Sequence, residues 1–327
     1  MTDSLVSDVT VNWNNRQFIE TCLEHLRAQS YPSVEIIVVD NGSTDGSDEL
    51  LRERYAGCIT LIRLETNTGF TGGMNRGIAA SHGDYVVILN SDAFLHPDFI
   101  ARAVQAFETP GNERVGVVGG KLFYYADGQK TATIDHVGFF LKLRMAVCNS
   151  RNTDLPELVF GPSGTCPVLR RSLLDEVAFA PGEWFDRYYF AYYEDVDLWF
   201  RAQLLGWKVL FLPEAIGWHV HSGSVGGRQR LYERAPFLQV HALKNRYMTI
   251  LKDYPAGLLL LMGPFLLATE LAVLLFFAVR MRNNLRNVLA AQRYIVCNLP
   301  AILRRRRFIQ RQRRVGAFYL VRYFKQI

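Results

Sequence analysis

Two aspartates follow apolar segments at positions where a ligand or a metal ion could bind. Residues 34–39 have the sequence Val-Glu-Ile-Ile-Val-Val and precede Asp40, and residues 86–89 have the sequence Val-Val-Ile-Leu and lie three positions before Asp92. Short runs rich in β-branched residues are typical of strands buried on both faces of a parallel sheet. Ligands of open α/β sheets bind outside the carboxyl ends of the strands. We therefore expect Asp40 and Asp92 to face a ligand, although Asp92 could instead cap the following helix.

These two strands belong to an alternating pattern of strands and helices. The sequence predicts a strand over 9–14, a helix over 16–29, a strand over 34–39, a helix from Asp48 and a strand over 58–64. This order is typical of a nucleotide-binding α/β domain. A glycine-rich loop is expected over 67–77, where four glycines within nine residues would let the backbone approach a ligand closely.

Two common phosphate-binding motifs are excluded. The predicted strands are not followed by G-x-G-x-x-G, so the Rossmann fingerprint is missing. Gly119-Gly120-Lys121 resembles the end of a P-loop, but Leu122 stands where Ser or Thr would bind magnesium. A nucleotide would therefore have to be held by other residues.

The composition fits one large globular domain followed by a smaller unit of different charge. The chain has 327 residues, 49% of them hydrophobic and 21% charged, with a net charge of +6. Residues 280–327 contain 13 Lys and Arg and no acidic residue. Five cysteines without a C-x-x-C pair suggest neither a zinc site nor a disulfide framework, as expected in a reducing compartment. The first residues do not have the pattern of a signal peptide, so none is expected.

Several motifs occur in an order that resembles one enzyme family. They are Val38-Val39-Asp40-Asn41-Gly42-Ser43, Asn67-Thr68-Gly69-Phe70 with Gly73, Asn75 and Gly77, Leu89-Asn90-Ser91-Asp92, and Tyr193-Glu194-Asp195-Val196-Asp197. Together they resemble the family 2 glycosyltransferases, particularly the bacterial rhamnosyltransferase-like branch, over about residues 8–250. The resemblance implies an α/β fold of GT-A type with a central, mostly parallel sheet. It also implies a nucleotide-sugar donor, a divalent cation (Mg²⁺ or Mn²⁺) and inversion at the anomeric carbon.

The resemblance assigns the catalytic base to the second residue of the Glu194-Asp195 pair. A carboxylate can take the proton of an acceptor hydroxyl, and the neighbouring charges of Glu194 and Asp197 would raise the pKa of Asp195. The alternative is that these acids only complement the dipole at the start of a helix. That alternative is favoured for Asp197 and not for Asp195.

The resemblance also places a divalent cation beneath the diphosphate of the donor. It implies that Asp92 binds the ion together with His219 or His221, since relatives carry a histidine five positions before a serine. Carboxylate oxygen and imidazole nitrogen suit manganese. Asn90 stands where many members have the first acid of a D-x-D motif, so one acid fewer is available to the ion.

The remaining candidates form two groups, and their roles are likewise implied by the resemblance. The donor group is Asn12, Asn14, Asp40, Asn41, Ser43, Gly73, Asn75, Asn90, Ser91 and Asp92. The acceptor group is Ser163, Gly164, Tyr193, Glu194 and Trp218. For Asn12 and Asn14, simple capping of the strand end is the alternative.

The C-terminal part has the composition of a membrane-associated segment. Residues 257–279 are almost wholly apolar and long enough to cross a bilayer as a helix, but Pro264 and Glu270 count against a clean crossing. The arginines after residue 280 alternate with apolar residues, as in helices that lie on anionic lipid. A basic segment of this kind could also bind nucleic acid, but the adjoining apolar run favours a membrane.

We therefore predict a glycosyltransferase domain over 1–250 and a helical membrane-association segment over 251–327. The predicted reaction moves L-rhamnose from dTDP-rhamnose to a lipid-linked saccharide, in cell-envelope polysaccharide synthesis at the cytoplasmic face of the inner (plasma) membrane. The enzyme would be peripheral or re-entrant and would have no nucleic-acid partner. Galactofuranose or another hexose from a UDP or GDP donor is the alternative substrate. A non-catalytic scaffold that binds nucleotide sugars is the alternative from a different class.

Overall fold

The computed structural model describes residues 4–142, 145–148, 154–221, 233 and 235–324. In its first part, helices return the chain between parallel strands. The elements are the strands Val6–Asn12 (β1), Val34–Asp40 (β2), Thr60–Arg63 (β3), Tyr85–Asn90 (β4) and Ala93–Leu95 (β5), and the helices Arg16–Arg27 (α1), Ser47–Arg54 (α2), Gly69–Ala79 (α3) and Phe99–Glu108 (α4).

The second part contains longer strands and the helix on which the candidate base lies. Its strands are Val115–Ala126 (β6), Gln129–His136 (β7), Phe139–Lys142 (β8), Met145–Cys148 (β9), Glu157–Val159 (β10), Val168–Arg170 (β11) and Lys208–His219 (β12). Its helices are Arg171–Val177 (α5) and Glu194–Leu204 (α6).

One mixed sheet runs through the domain in the order β10-β12-β6-β11-β4-β1-β2-β3. The strands β1, β2, β3 and β4 pair in parallel, and so do β6 and β12. The short strand β11 lies antiparallel between β4 and β6. The predicted α/β class with a mostly parallel sheet is confirmed. Because β1, β2 and β4 run the same way, their carboxyl ends, and with them Asp40 and Asp92, lie at one edge of the sheet.

Most of the glycine-rich segment is a helix, α3, so the prediction of a loop over 67–77 was wrong for residues 69–77. Its glycines serve close packing, because a Cβ on Gly77 would lie 2.2 Å from Val9 Cγ1 and one on Gly73 would lie 2.8 Å from Val11 Cγ1. The helix can therefore lie directly against β1. Glycine has a low helix propensity, and in this segment tertiary packing outweighs it.

Three long helices and a 3-10 helix form the C-terminal part. They are Pro236–Asp253 (α7), Ala256–Arg280 (α8), Arg282–Gln312 (α9) and the 3-10 helix Tyr319–Tyr323. Tyr254, Leu258 and Ile309 belong to the same buried apolar cluster as Trp199 of α6. The C-terminal helices are therefore packed onto the helix that carries the candidate base.

Candidate functional site

Asp92 lies in the turn between β4 and β5, beside the end of β12. β5 pairs with β12 so that Ala93 is opposite His219, and the Asp92 carbonyl accepts a hydrogen bond of 3.1 Å from the Val220 amide. This pairing brings His219 Nε2 to 3.3 Å from Asp92 Oδ1. Both side chains are buried. Asp92 therefore faces a histidine and is not at a helix terminus, since α4 begins seven residues later.

A second buried carboxylate, Asp135 at the end of β7, completes this cluster. Its Oδ2 atom lies 2.8 Å from His221 Nε2 and 3.6 Å from His219 Nδ1. The same oxygen is 3.6 Å from His136 Nε2. The imidazole of His219 is thus held between two carboxylates, one at each ring nitrogen. Sequence reasoning missed Asp135, since its only signal was an Asp-His pair outside the recognised motifs.

The electrostatics of the cluster favour a positive charge. Burial alone would lower the pKa of His219, but the charge of Asp92 and the hydrogen bonds with both carboxylates raise it to about 9. Burial would raise the pKa of Asp135, yet hydrogen bonds from His219 and His221 and the nearby His136 hold it below its usual range. Oxygen and nitrogen donors converge here with two negative charges. This donor set fits a divalent cation such as Mn²⁺.

Asp195 lies in the first turn of α6, where backbone amides hold its carboxylate. The Gly164 amide donates a hydrogen bond of 3.0 Å to Oδ2, and the Val196 amide donates one of 2.7 Å to Oδ1. Burial raises the pKa of Asp195 to about 6, although these amide hydrogen bonds act in the opposite direction. Burial and the charge of Asp195 also raise the pKa of Glu194 well above its usual range. A carboxyl with a pKa near 6 suits proton acceptance at neutral pH.

Asp197, two residues further on, is committed to buried cations. It accepts hydrogen bonds of 3.0 and 2.7 Å from Nε and an Nη of Arg201, and it pairs with Lys252 of α7. Its side chain is fully buried. Asp197 therefore secures α6 within the fold. Of Asp195 and Asp197, it is Asp195 whose carboxylate lies beside the segment 163–165.

A three-residue segment separates the two candidate centres. Gly164 binds Asp195 as described, and Thr165 Oγ1 lies 3.5 Å from Nδ1 of His219, the residue beside Asp92. The Thr165 carbonyl accepts a hydrogen bond of 2.9 Å from the Asn90 amide. A Cβ on Gly164 would lie 3.1 Å from Asp195 Cβ, so any other residue here would crowd the acid. Asp92 and Asp195 therefore flank one short segment.

Residues 7–178 match the family model described as glycosyl transferase family 2. This chain is a family 2 glycosyltransferase. It is 25% identical over 275 residues to the glycosyltransferase GlyG of Streptococcus pneumoniae, covering 76% of this chain and 87% of that protein. It is 30% identical over 224 residues to the amylovoran biosynthesis glycosyltransferase AmsB of Erwinia amylovora, covering 66% of this chain and 69% of that protein.

Solved structures support the fold of the glycosyltransferase. The mannosyltransferase PcManGT from Pyrobaculum calidifontis, in complex with GDP-Man and Mn²⁺, aligns over 97% of this chain and 85% of its own, with a TM-score of 0.54 and 18% identity. Residues 1–349 of TarS from S. aureus, in complex with UDP, align over 76% of this chain and 66% of that chain, with a TM-score of 0.51 and 18% identity. The fold is therefore of GT-A type.

Four of the residues predicted to bind the donor form one polar group at the ends of β1 and β2. Asp40 Oδ1 accepts a hydrogen bond of 3.2 Å from Asn12 Nδ2, and Oδ2 accepts one of 3.1 Å from the Ser43 amide. Asn14, in the turn after β1, receives the Thr44 amide at 2.7 Å on Oδ1. Asn12 Oδ1 is buried without a hydrogen-bond partner among the described residues. This group therefore contains a buried acceptor whose hydrogen-bonding capacity is not used by the described residues.

Other predicted donor residues hold the scaffold together. Asn41 joins the start of α3 through hydrogen bonds of its amide with Asn67, Thr68 and the Gly69 carbonyl. Asn75 Oδ1 accepts the amides of Trp184 and Phe185 at 3.0 and 2.9 Å. These side-chain contacts fix loops around the site, and Gly73 contributes through the packing described above.

Three further candidates have hydrogen-bond partners of their own. Ser91 accepts a hydrogen bond of 2.8 Å from Asn15, and Ser163 lies 2.8 Å from Thr165. Trp218 precedes His219 in β12 and therefore points to the opposite face, where its indole nitrogen donates to the Thr131 carbonyl at 3.3 Å. Ser224, which the spacing pairs with His219, lies outside the described residues.

The backbone immediately before Asp195 is strained. Phe190, Tyr192 and Tyr193 have φ angles of 67°, 69° and 65°, in the left-handed region that costs a non-glycine residue about 1–2 kcal/mol. Tyr193, a predicted acceptor residue, is also the N-cap of α6. This conformation is not predictable from the sequence, because aromatic residues disfavour it. Strain of this kind is found at functional sites and requires surrounding structure to maintain it.

The contacts of Asp135 predict that it supports cation binding by the glycosyltransferase. We expect Asp135→Asn to weaken Mn²⁺ binding by about 10- to 100-fold, the usual cost of removing a carboxylate that orients a metal-binding histidine. Isothermal titration of the full-length protein with MnCl₂ measures this affinity. The matched control is Asp127→Asn, which changes an exposed acid in the turn of the same β6–β7 hairpin. Wild-type Mn²⁺ affinity in Asp135→Asn would contradict the assignment.

Proposed function

We propose that this glycosyltransferase moves a sugar from a nucleotide-sugar donor to an acceptor hydroxyl with inversion at the anomeric carbon. The observation that carries the proposal is that Asp195 and His219, the partner of Asp92, contact adjacent residues of the segment 163–165. An inverting transfer needs a group that helps the diphosphate to leave and a base that activates the acceptor. The two centres supply these two functions.

Asp195 acts as the general base. Its carboxylate takes the proton of the acceptor hydroxyl as the oxygen attacks the anomeric carbon. The Gly164 amide fixes one carboxylate oxygen at 3.0 Å, which leaves that oxygen's second lone pair for the acceptor. Burial and the charge of Asp195 raise the pKa of Glu194. This shift disfavours a second negative charge beside the base.

Asp92 and His219 are the proposed ligands of the divalent cation. When bound, the ion neutralises the charge that develops on the leaving diphosphate. His219 turns Nε2 towards Asp92 and Nδ1 towards Asp135, so Asp135 orients the ring for the ion. His221 Nε2 is directed at Asp135, which favours His219 over His221 as the ligand.

The donor is proposed to be dTDP-L-rhamnose. The resemblance of the motifs to the rhamnosyltransferase-like branch supports this sugar, and the group of Asn12, Asp40 and Ser43 would accept and donate hydrogen bonds to the nucleoside. The acceptor is proposed to be a lipid-linked saccharide in cell-envelope polysaccharide synthesis. The relatives named for polysaccharide synthesis support this role: AmsB, and the poly-β-1,6-N-acetyl-D-glucosamine synthase of Staphylococcus epidermidis, 21% identical over 223 residues.

The apolar helix α8 supports membrane association. It has 25 residues with a mean hydropathy of 2.2 over its most apolar window, and only 11% of that window is buried. Leu260, Leu267 and Leu275 are 82%, 63% and 66% exposed. The arginines of α9 follow directly, and cations near a bilayer are attracted to anionic lipid. We propose that the segment 251–327 docks on the cytoplasmic face of the inner (plasma) membrane, where a lipid-linked acceptor would be available.

The role of Asp195 predicts a selective loss of turnover. We expect Asp195→Asn to lower kcat by about 100-fold or more, the scale of general base catalysis, while the donor still binds. Transfer of radiolabelled sugar to a lipid extract of cell membranes measures kcat, and isothermal titration measures donor affinity. Since Asp195 must be deprotonated, wild-type kcat should also fall as pH drops below about 6.

The matched control for that variant is Asp175→Asn, which makes the same change at an acid in α5. Near-wild-type turnover in Asp195→Asn would disprove the base assignment. Loss of turnover in both variants would point to general destabilisation.

The proposed donor can be tested with a panel of nucleotide sugars. A ligand that binds only the native state raises the unfolding temperature by mass action. With MnCl₂ present, we expect dTDP-L-rhamnose to give a larger shift in Tm than UDP-galactofuranose, UDP-GlcNAc or GDP-mannose. A larger shift with one of the other sugars would replace rhamnose as the donor. Binding of a donor without turnover by the wild-type enzyme would favour the non-catalytic scaffold.

The exposed face of α8 predicts binding to anionic membranes. We expect the double variant Leu267→Glu with Leu275→Glu to bind phosphatidylglycerol vesicles at least about tenfold more weakly, because each leucine transferred from water is worth about 1.5–3 kcal/mol. Vesicle flotation of the full-length protein measures binding. The matched control places the same changes at Leu155 and Leu158, exposed leucines outside the C-terminal part. Equal flotation of both variants, or tight binding to oligonucleotides, would refute the membrane assignment.

A further inference from the structure

Helix α7 holds the backbone of the segment that leads to the candidate base. Asn245 Nδ2 lies 3.0 Å from the Tyr189 carbonyl oxygen and 2.7 Å from the carbonyl oxygens of both Ala191 and Tyr192. One side-chain amide therefore contacts three backbone acceptors within four residues. Asn245 is fully buried, so water cannot replace it there.

Two neighbours of Asn245 on α7 add to this contact. Lys244 Nζ donates to the Tyr188 carbonyl at 2.6 Å and to Asn245 Oδ1 at 2.7 Å. The second of these hydrogen bonds fixes the amide so that its nitrogen faces the segment. His241 Nδ1 lies 3.0 Å from the Tyr189 carbonyl oxygen. We call Asn245, Lys244 and His241 the α7 clamp.

The α7 clamp acts on the strained residues. Tyr192, whose carbonyl it binds, has a φ of 69°, and the residue after it, Tyr193, has a φ of 65°. The Tyr193 carbonyl accepts the Asp197 amide at 2.9 Å, which starts α6. Asp195 lies in this first turn. The direction in which α6 begins, and hence the position of the Asp195 carboxylate, depends on backbone torsions that do not persist without external contacts.

The segment 189–193 also contacts the first turn of helix α3. The Phe190 carbonyl accepts the Thr71 amide at 3.1 Å, and a Cβ on Gly69 would lie 2.6 Å from both the ring and the carbonyl oxygen of Phe190. The segment is thus fixed on one side by α3 and on the other by α7. The contact with α3 comes from the central domain, because α3 packs on β1. The contact with α7 comes from the C-terminal helices.

We propose that Asn245 is a positioning residue for the general base, holding residues 189–193 in the strained conformation that directs Asp195 at the acceptor. This role rests on the proposed function of Asp195. Asn245 touches neither substrate nor reacting atoms, and it acts through the backbone. Because α7 is joined to α8 by two residues, Tyr254 and Pro255, the residue that positions the base lies on the helix that leads directly into the segment proposed to dock on the membrane.

The test is Asn245→Asp in the full-length protein. This change keeps the side-chain size and the oxygen that accepts from Lys244, but it removes the amide hydrogens that bind the three carbonyls. We expect kcat to fall at least tenfold while the donor KM stays within about twofold, the pattern of an interaction needed for the transition state rather than for binding. Turnover is measured with the donor that gives the largest Tm shift in the panel, with the membrane lipid extract as acceptor.

Hydrogen exchange supplies a second readout. In Asn245→Asp, the amides of residues 190–197 should exchange faster, while those of β4 stay protected. The matched control is Asn298→Asp in α9, since among the described residues Asn298 Nδ2 bonds only to the Tyr294 carbonyl of its own helix, at 2.8 Å. We expect that control to behave as the wild type in both measurements.

Three outcomes would overturn the proposal: an unchanged kcat, unchanged exchange at residues 190–197, or faster exchange throughout the sheet, which would mean general unfolding. These failures are separate from failure of the proposed function. If Asp195→Asn keeps wild-type turnover, the base assignment itself falls. If Asp195→Asn is inactive and Asn245→Asp is fully active, only the positioning role falls.

Discussion

The buried ammonium of Lys252 connects the catalytic domain to its C-terminal helices. Its Nζ atom lies 2.7 Å from Asp186 Oδ2 and also pairs with Asp197, and all three side chains are fully buried. Leaving one member of such a group without its partner costs about 3–5 kcal/mol, because a charge remains uncompensated in the interior. Asp253 is buried beside them, and burial together with the charge of Asp197 raises its pKa well above the usual range. The orientation of α6 relative to α7 is therefore tightly specified.

The neighbouring groups give four aspartates of the same domain four different roles. Asp197 neutralises buried cations, Asp195 is held by backbone amides, and Asp92 faces an imidazole. Asp135 accepts hydrogen bonds from two histidines. Burial raises the pKa of Asp195 to about 6, the range of a base that works near neutral pH. Identical side chains are thus distinguished by what the fold places within hydrogen-bond distance of each.

Helix α8 combines an exposed apolar surface with one acidic residue, Glu270. Glu270 lies in the middle of the apolar helix α8, and in the sequence it counted against a clean crossing of the bilayer. In the structure it pairs with Arg246 of α7, so its charge is compensated on the inner side of the helix. The leucines on the outer side remain exposed. The helix can therefore present an apolar surface without placing an uncompensated charge in it.

Local patterns and motif spacing were enough to predict the alternation of strands and helices, the family, and the candidates Asp92, Asp195, His219 and His221. It could not reveal Asp135, which meets His221 across 86 positions, or Asn245, which meets Tyr189 across 56. It also misjudged residues 69–77, whose glycines indicated a loop although they allow α3 to pack on β1. These contacts are visible only in the folded chain, because hydrogen bonds and close packing join residues whose separation along the sequence carries no signal.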